Sequence, residues 1–99
     1  MEVIQSPQIE IIQEAASLKI IRVKGESGMH MPDHHSTREA VVIGQKGSAT
    51  LFMEGKEYKI NEGSSTIIPA GVNHSLTTHQ GFLALVIMDI KSTIIFENN

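Results

Sequence analysis

Short apolar, β-branched stretches alternate with turn residues along almost the whole chain. They fall at Val3–Ile4, Ile9–Ile12, Leu18–Val23, Ala40–Ile43, Ser48–Met53, Tyr58–Ile60, Ser65–Ile68, His74–Thr78, Phe82–Ile90 and Ser92–Phe96. Gly, Pro, Asn or Asp stands between most of them. This rhythm predicts an all-β sandwich or barrel. Met53-Glu54-Gly55-Lys56 predicts a tight hairpin, because Gly55 is free to take a positive φ. Asn61-Glu62-Gly63 and Pro69-Ala70-Gly71 predict two further turns. Only Ile11–Leu18 (IIQEAASL) reads as helical, enough for one or two turns. No repeat, linker or low-complexity tract interrupts the pattern.

The alternation also assigns faces. Successive side chains of a strand point to opposite sides. If Ala40 and Val42 face the interior, Val41 and Ile43 face outward, and an apolar outer face needs cover. The N-terminal segment or a second subunit would supply it. Ser92–Phe96 is a further apolar edge that wants a partner.

Composition narrows the setting. A chain of 99 residues with 40% apolar and 19% charged positions predicts one soluble domain over residues 1–99. A net charge of −3 without a basic run argues against nucleic acid as a partner. The chain has no cysteine, which excludes disulfides and thiolate chemistry and fits a reducing cytosol. The first ten residues carry no apolar signal segment. The longest apolar run, Phe82–Met88, is too short to span a bilayer as a helix. A cytoplasmic location without membrane contact is therefore expected.

Candidate chemistry concentrates in residues 28–47 and 63–78. Gly28 is followed by five residues and then His34, and Gly47 closes the first segment. Gly63, Pro69, Gly71 and His74 punctuate the second, with Thr78 four residues later. These segments resemble the two signature motifs of the cupin superfamily, separated by a spacer of 15 residues. The resemblance covers about half the chain. It implies a jelly roll, the double-stranded β-helix of a cupin barrel. It also implies a metal held by three His and one Glu on inward-facing strands, with open positions for water or substrate.

The first motif departs from that ligand set. Ser36 stands where the second His is usual, and Ala40 where the Glu is usual. Thr78 stands where the second motif usually has Asn. Ser is a poor ligand for a first-row divalent ion, Ala has no donor atom, and two imidazoles alone hold a metal weakly. His30 shares the parity of His34 and would be a third ligand beside His34 and His74. Met88 offers a soft thioether suited to copper(I), although core filling explains it as well. A register shifted by one residue would instead gather Asp33, His35, Glu39 and His74, using a β-bulge on each side. His79, just beyond the second motif, is expected at an exposed strand end.

Three functions that use the pocket remain open, beside a structural or interaction role with no pocket chemistry. The first is a small cupin that binds a small molecule in the barrel mouth, with His34, Ser36, His74 and Thr78 as the polar groups on apolar walls. The second is a metal-dependent oxygenase or isomerase with an altered ligand set, such as His30, His34 and His74, or the shifted register. The third is a metal-free acid–base enzyme using His34 and His74, which requires their pKa values to be driven apart. The cofactor is accordingly none or a single divalent transition metal. The scarcity of aromatic residues, three Phe and one Tyr, counts against a carbohydrate-stacking site, although Tyr58 could serve one. Cupins often dimerise through an apolar outer face, so the resemblance adds to the expectation of a homodimer. The fold alone does not name a reaction, since one barrel hosts many chemistries.

Overall fold

A computed structural model describes residues 6–97. The described chain forms ten strands: β1 (Gln8–Glu14), β2 (Leu18–Gly25), β3 (His30–Ser36), β4 (Ala40–Lys46), β5 (Ala49–Met53), β6 (Lys56–Ile60), β7 (Ser65–Ile68), β8 (His74–Thr78), β9 (Phe82–Asp89) and β10 (Ile94–Phe96). Two antiparallel sheets face each other. The first has the order β1-β2-β9-β4-β7 and the second β10-β3-β8-β5-β6. The expected jelly roll is therefore present. The apolar stretch Val3–Ile4 lies outside the described residues.

Local chemistry accounts for the turns. Met53 pairs with Lys56 across a two-residue hairpin. Glu54 and Gly55 both take positive φ, 54° and 76°, as a type I′ turn requires. In the Asn61 turn, Ser64 N–H donates to the Asn61 carbonyl at 3.0 Å, and the Asn61 N–H donates to the Ser64 hydroxyl at 3.0 Å. Gly71 N–H donates to the Ser36 carbonyl at 2.8 Å, so the Pro69–Gly71 turn is tied directly to the end of β3.

The expected helix at Ile11–Leu18 is not formed. Residues through Glu14 belong to β1, and a short turn follows in which Ala15 N–H donates to the Leu18 carbonyl at 2.8 Å. Pairing overrides helix propensity here. Ile9 sits opposite Val23 and Ile11 opposite Ile21, both on the inward face of β2. A helix would forfeit that ladder. The cost is one irregularity: the register shifts between Ile11 and Gln13, leaving Ile12 as the extra residue of a bulge.

The core fills the space between the sheets. Ile21, Val42, Leu51, Ile60, Phe82 and Met88 are among its buried residues. Close approach of the sheets' connections leaves no room at Gly44. A methyl group there would collide with the Asn61 carbonyl, and Gly44 also exchanges backbone hydrogen bonds with Ser64 and Gly63 at 3.0 and 2.8 Å. A Gly44→Ala substitution is expected to destabilise the fold by about 1–3 kcal/mol, read as a lower denaturation midpoint with an unchanged m-value.

Candidate functional site

The site is built on β3 and β8. These strands pair with Met31 opposite Leu76 and His34 opposite His74. Two residues of β3, Pro32 and Asp33, thus span the stretch that Ser75 alone spans in β8. This is a β-bulge, and Pro32 suits it because proline gives no donor to the ladder. The bulge reverses the parity of β3. Met31 and His34 both face inward, and both are buried.

His34 and His74 are neighbours across the ladder. Each is only 5% exposed, and their ring centroids lie 4.2 Å apart in an edge-on arrangement. Phe96, opposite His34 in β10, stacks obliquely on it with a centroid separation of 5.0 Å. Each imidazole donates its Nδ1 proton to a backbone carbonyl two residues earlier: His34 to Pro32 at 2.7 Å and His74 to Val72 at 2.9 Å. A carbonyl can only accept, so Nδ1 carries the proton in both rings. The neutral rings therefore keep their lone pairs at Nε2.

Burial pushes both imidazoles below their ordinary pKa of 6.5; the carbonyl bonds oppose the shift without cancelling it. For His34 the neighbouring His74 adds to the lowering. Both rings are thus neutral at pH 7. Desolvation is the leading cause for both rings.

The two rings line a cavity of about 60 Å³ between the sheets. A water needs roughly 10–15 Å³ measured in this way, so the space admits a molecule of a few heavy atoms. Ser36 is its other polar lining residue; Met31, Leu51, Phe82, Val86 and Met88 are among the apolar ones. No Lys or Arg lines it.

The remaining expected site residues lie elsewhere. His30 is exposed, with Nδ1 3.1 Å from the Thr77 hydroxyl. It does not join His34 and His74, because the bulge at Pro32–Asp33 breaks the parity that would have aligned them. Thr78 is fully buried but does not line the cavity. Its hydroxyl donates to the Glu26 carbonyl at 2.6 Å, pinning the turn that leads into β3. His35 turns away from the barrel, with Nδ1 2.8 Å from Glu97 Oε2 and 3.2 Å from Asn73 Oδ1. Glu39 and Asp33 are exposed, so the shifted ligand register is not assembled. His79 is half-buried rather than exposed, its Nε2 3.0 Å from the Thr50 hydroxyl. The structure adds Met31, Leu51, Phe82 and Val86 to the residues around the site; no chemical signature marks such lining residues in a sequence.

A cupin metal requires more donors than this arrangement offers. Ser36 and Ala40 occupy the inward positions of two ligands. Among the described residues no three His, Cys, Asp or Glu side chains converge on a point. The residues present do not fit the metal that the fold family implies.

Comparison with known proteins places the chain. Residues 8–99 match the family described as mannose-6-phosphate isomerase C-terminal. The chain belongs to this family. It is 31% identical over 90 residues to a mannose-1-phosphate guanylyltransferase of Klebsiella pneumoniae, covering 91% of this chain and 17% of that protein. It thus spans about a sixth of that relative's length. Among solved structures it resembles a DMSP lyase from Ruegeria pomeroyi, with TM-score 0.81 and 23% identity over 92% of this chain and 51% of the other. It also resembles a cupin superfamily protein from Desulfitobacterium hafniense, with TM-score 0.77 and 13% identity over 92% and 84% of the two chains. At these identities the structural likeness establishes the cupin fold of this family member and nothing of its chemistry.

Two outcomes test the site. The depressed imidazole pKa values mean that the unfolded chain binds more protons below pH 6.5. Their contribution to stability is complete above that value and is lost as pH falls through the lower folded pKa values. The denaturation midpoint is expected to drop on acidification below pH 6.5, with the slope reduced in a His34→Gln, His74→Gln variant. Thr78→Val should cost about 1–3 kcal/mol of stability, because the Glu26 carbonyl loses its buried donor, while leaving the NMR signals of His34 and His74 in place.

Proposed function

We propose that this cupin-family domain holds a small, uncharged, mostly apolar molecule bearing hydrogen-bond donors in the cavity between its sheets, without a transition metal. One observation carries the reading: two neutral imidazoles with Nε2 lone pairs are set, together with Ser36, in a cavity whose remaining lining is apolar and includes no cation. Such a site rewards a ligand that fills apolar space and donates to nitrogen. It penalises an anion, whose charge would be desolvated without a partner. The phosphorylated sugars named in the family and in the guanylyltransferase relative are therefore poor fits to this cavity.

The runner-up is a metal-dependent oxygenase or isomerase with a reduced ligand set. It has one observation in its favour: metal-ligating imidazoles commonly donate their second nitrogen to a carbonyl in this manner. Among the described residues no helix is long and apolar enough to cross a membrane. A cytosolic setting completes the proposal, supported by a sequence without cysteine.

The test combines metal counting with ligand screening. Protein incubated with iron, manganese, nickel and zinc and then desalted is expected to retain far less than one metal per chain. NMR titration with small phenols, alcohols and amides is expected to shift signals of His34, Ser36 and His74, whereas mannose 6-phosphate and short carboxylates leave them unmoved. Filling the cavity with His34→Phe should weaken binding by about tenfold or more, which is about 1.4 kcal/mol. Near-stoichiometric metal that disappears in His74→Ala would overturn the proposal in favour of the metal-dependent reading.

A further inference from the structure

The sandwich is open along one edge. β1 and β10 are outermost strands of their sheets, and their neighbours there are β2 and β3. A short loop over residues 26–29 joins β2 directly to β3, so these two lie across from each other. Lys19 of β2 also donates to the Ser92 carbonyl, just before β10, at 2.7 Å. β1 and β10 therefore flank the same edge. Their inward faces are apolar. Ile9 and Ile11 stand opposite the buried Val23 and Ile21 and point with them into the space between the sheets. Ile94 and Phe96 stand opposite Ser36 and His34 and point into the same space from the other side.

These four side chains are not sealed in the core. Ile9 is 41% exposed, Ile11 52% and Phe96 46%, while Ile94 is half-buried. Ile9 and Ile94 also line the cavity that holds His34 and His74. Among its described lining residues Ile9 alone is exposed, so the cavity reaches the surface at this edge. Phe96 continues the apolar wall outward from the ring of His34, on which it stacks. The charged neighbours turn to the outer faces. Glu10 pairs with Arg22 at 3.3 Å, and Glu97 with His35 at 2.8 Å. A trough with apolar walls thus leads from the imidazoles to solvent.

We propose that this trough is a second subsite of the cavity and takes the unbranched aliphatic tail of the molecule whose donor group meets the imidazoles. The ligand is then an uncharged amphiphile, of the class of medium-chain alcohols and alkyl amides. This assignment rests on the reading of the cavity as a ligand site. A space of about 60 Å³ holds a few heavy atoms, so any longer ligand must leave it. It leaves where isoleucine and phenylalanine stand on both sides. A polar or ionic extension would find no partner on these walls and would lose water. An alkyl chain instead covers apolar surface on itself and on Ile9, Ile11 and Phe96 together. Half-exposed apolar side chains that continue a cavity are the usual lining of a binding groove.

A series of straight-chain alcohols from butanol to octanol tests it, with binding followed by NMR. Butanol is expected to move the signals of His34, Ser36 and His74 and to leave Ile11 in place. Each further methylene is expected to tighten binding by about threefold and to bring Ile11 and Phe96 into the set of shifted signals. Ile11→Thr keeps a β-branched residue in the edge strand. It is expected to weaken octanol binding by about fivefold and to leave butanol affinity unchanged. Affinity that levels off at butanol, or an Ile11→Thr variant that binds octanol as the wild-type chain does, would overturn the tail subsite while the cavity reading stands. No binding anywhere in the series would overturn both. Ile11 and Phe96 signals that respond to dilution of the protein, and not to octanol, would give the trough to a second copy and overturn the proposal.

Discussion

The extra residue in β3 is the constraint on which the site depends. Pro32 and Asp33 together face the single residue Ser75 across the ladder, and from that point onward the strand presents its even-numbered side chains to the interior. His34 and Ser36 face the cavity because of this shift. His30 faces solvent for the same reason. The bulge also places the Pro32 carbonyl within 2.7 Å of the His34 ring, so the irregularity that aims the imidazole also chooses its tautomer. β8 supplies the matching half without a bulge: the turn at Pro69–Gly71, anchored to the Ser36 carbonyl, delivers Val72 and His74 in the geometry that fixes the second ring.

Two imidazoles fixed in this way behave differently from two imidazoles in water. Their donors are already committed to backbone carbonyls, and burial disfavours any second proton. Their Nε2 atoms are left as acceptors, in a space whose other walls are apolar apart from Ser36. On the proposed reading, the pair would favour donors among molecules that already suit the apolar walls. The positions usually filled by carboxylate and imidazole hold Ala40 and Ser36 instead. A carboxylate at the Ala40 position would have raised the pKa of the histidines; with Ala40 there, burial outweighs the raising influences that remain.

Much of this architecture is legible in the residues, and the exceptions have identifiable causes. Alternation and turn chemistry reveal the hairpin at Glu54–Gly55 and the strands around it, because both signals are local. β3 is missed as a strand because HMPDHHS has neither β-branched residues nor a clean alternation, and its extended form comes from its neighbours β8 and β10. The same bulge defeats the parity argument that would bring His30 beside His34. Ile11–Leu18 fails in the opposite direction: its helix propensity is real but weak, and the long-range ladder with β2 outweighs it. His34, Ser36 and His74 are singled out by the resemblance of their segments to the cupin motifs, whose glycines and Pro69 are also turn residues, and all three line one cavity. Thr78 is misjudged because a buried hydroxyl near a motif reads equally as ligand contact or backbone anchor, and only the 2.6 Å bond to Glu26 distinguishes them.

The outer faces extend the same reasoning. A sheet in water needs one apolar face to fold, and a second apolar face adds nothing to the core between the sheets. Thr50, Ser75 and Thr77 meet that requirement economically: their strands alternate, with Leu51 and Leu76 pointing inward. β4 and β9 carry apolar residues on both faces, so folding of the sandwich explains Val42 and Ala84 but not Val41, Leu85 or Ile87. Val41, Leu85 and Ile87 are only partly buried, and partly exposed apolar rows of this kind on a sheet are a surface that association can cover. Lys46 and Glu39 lie at opposite ends of the same strand. That placement has no counterpart in the needs of the cavity.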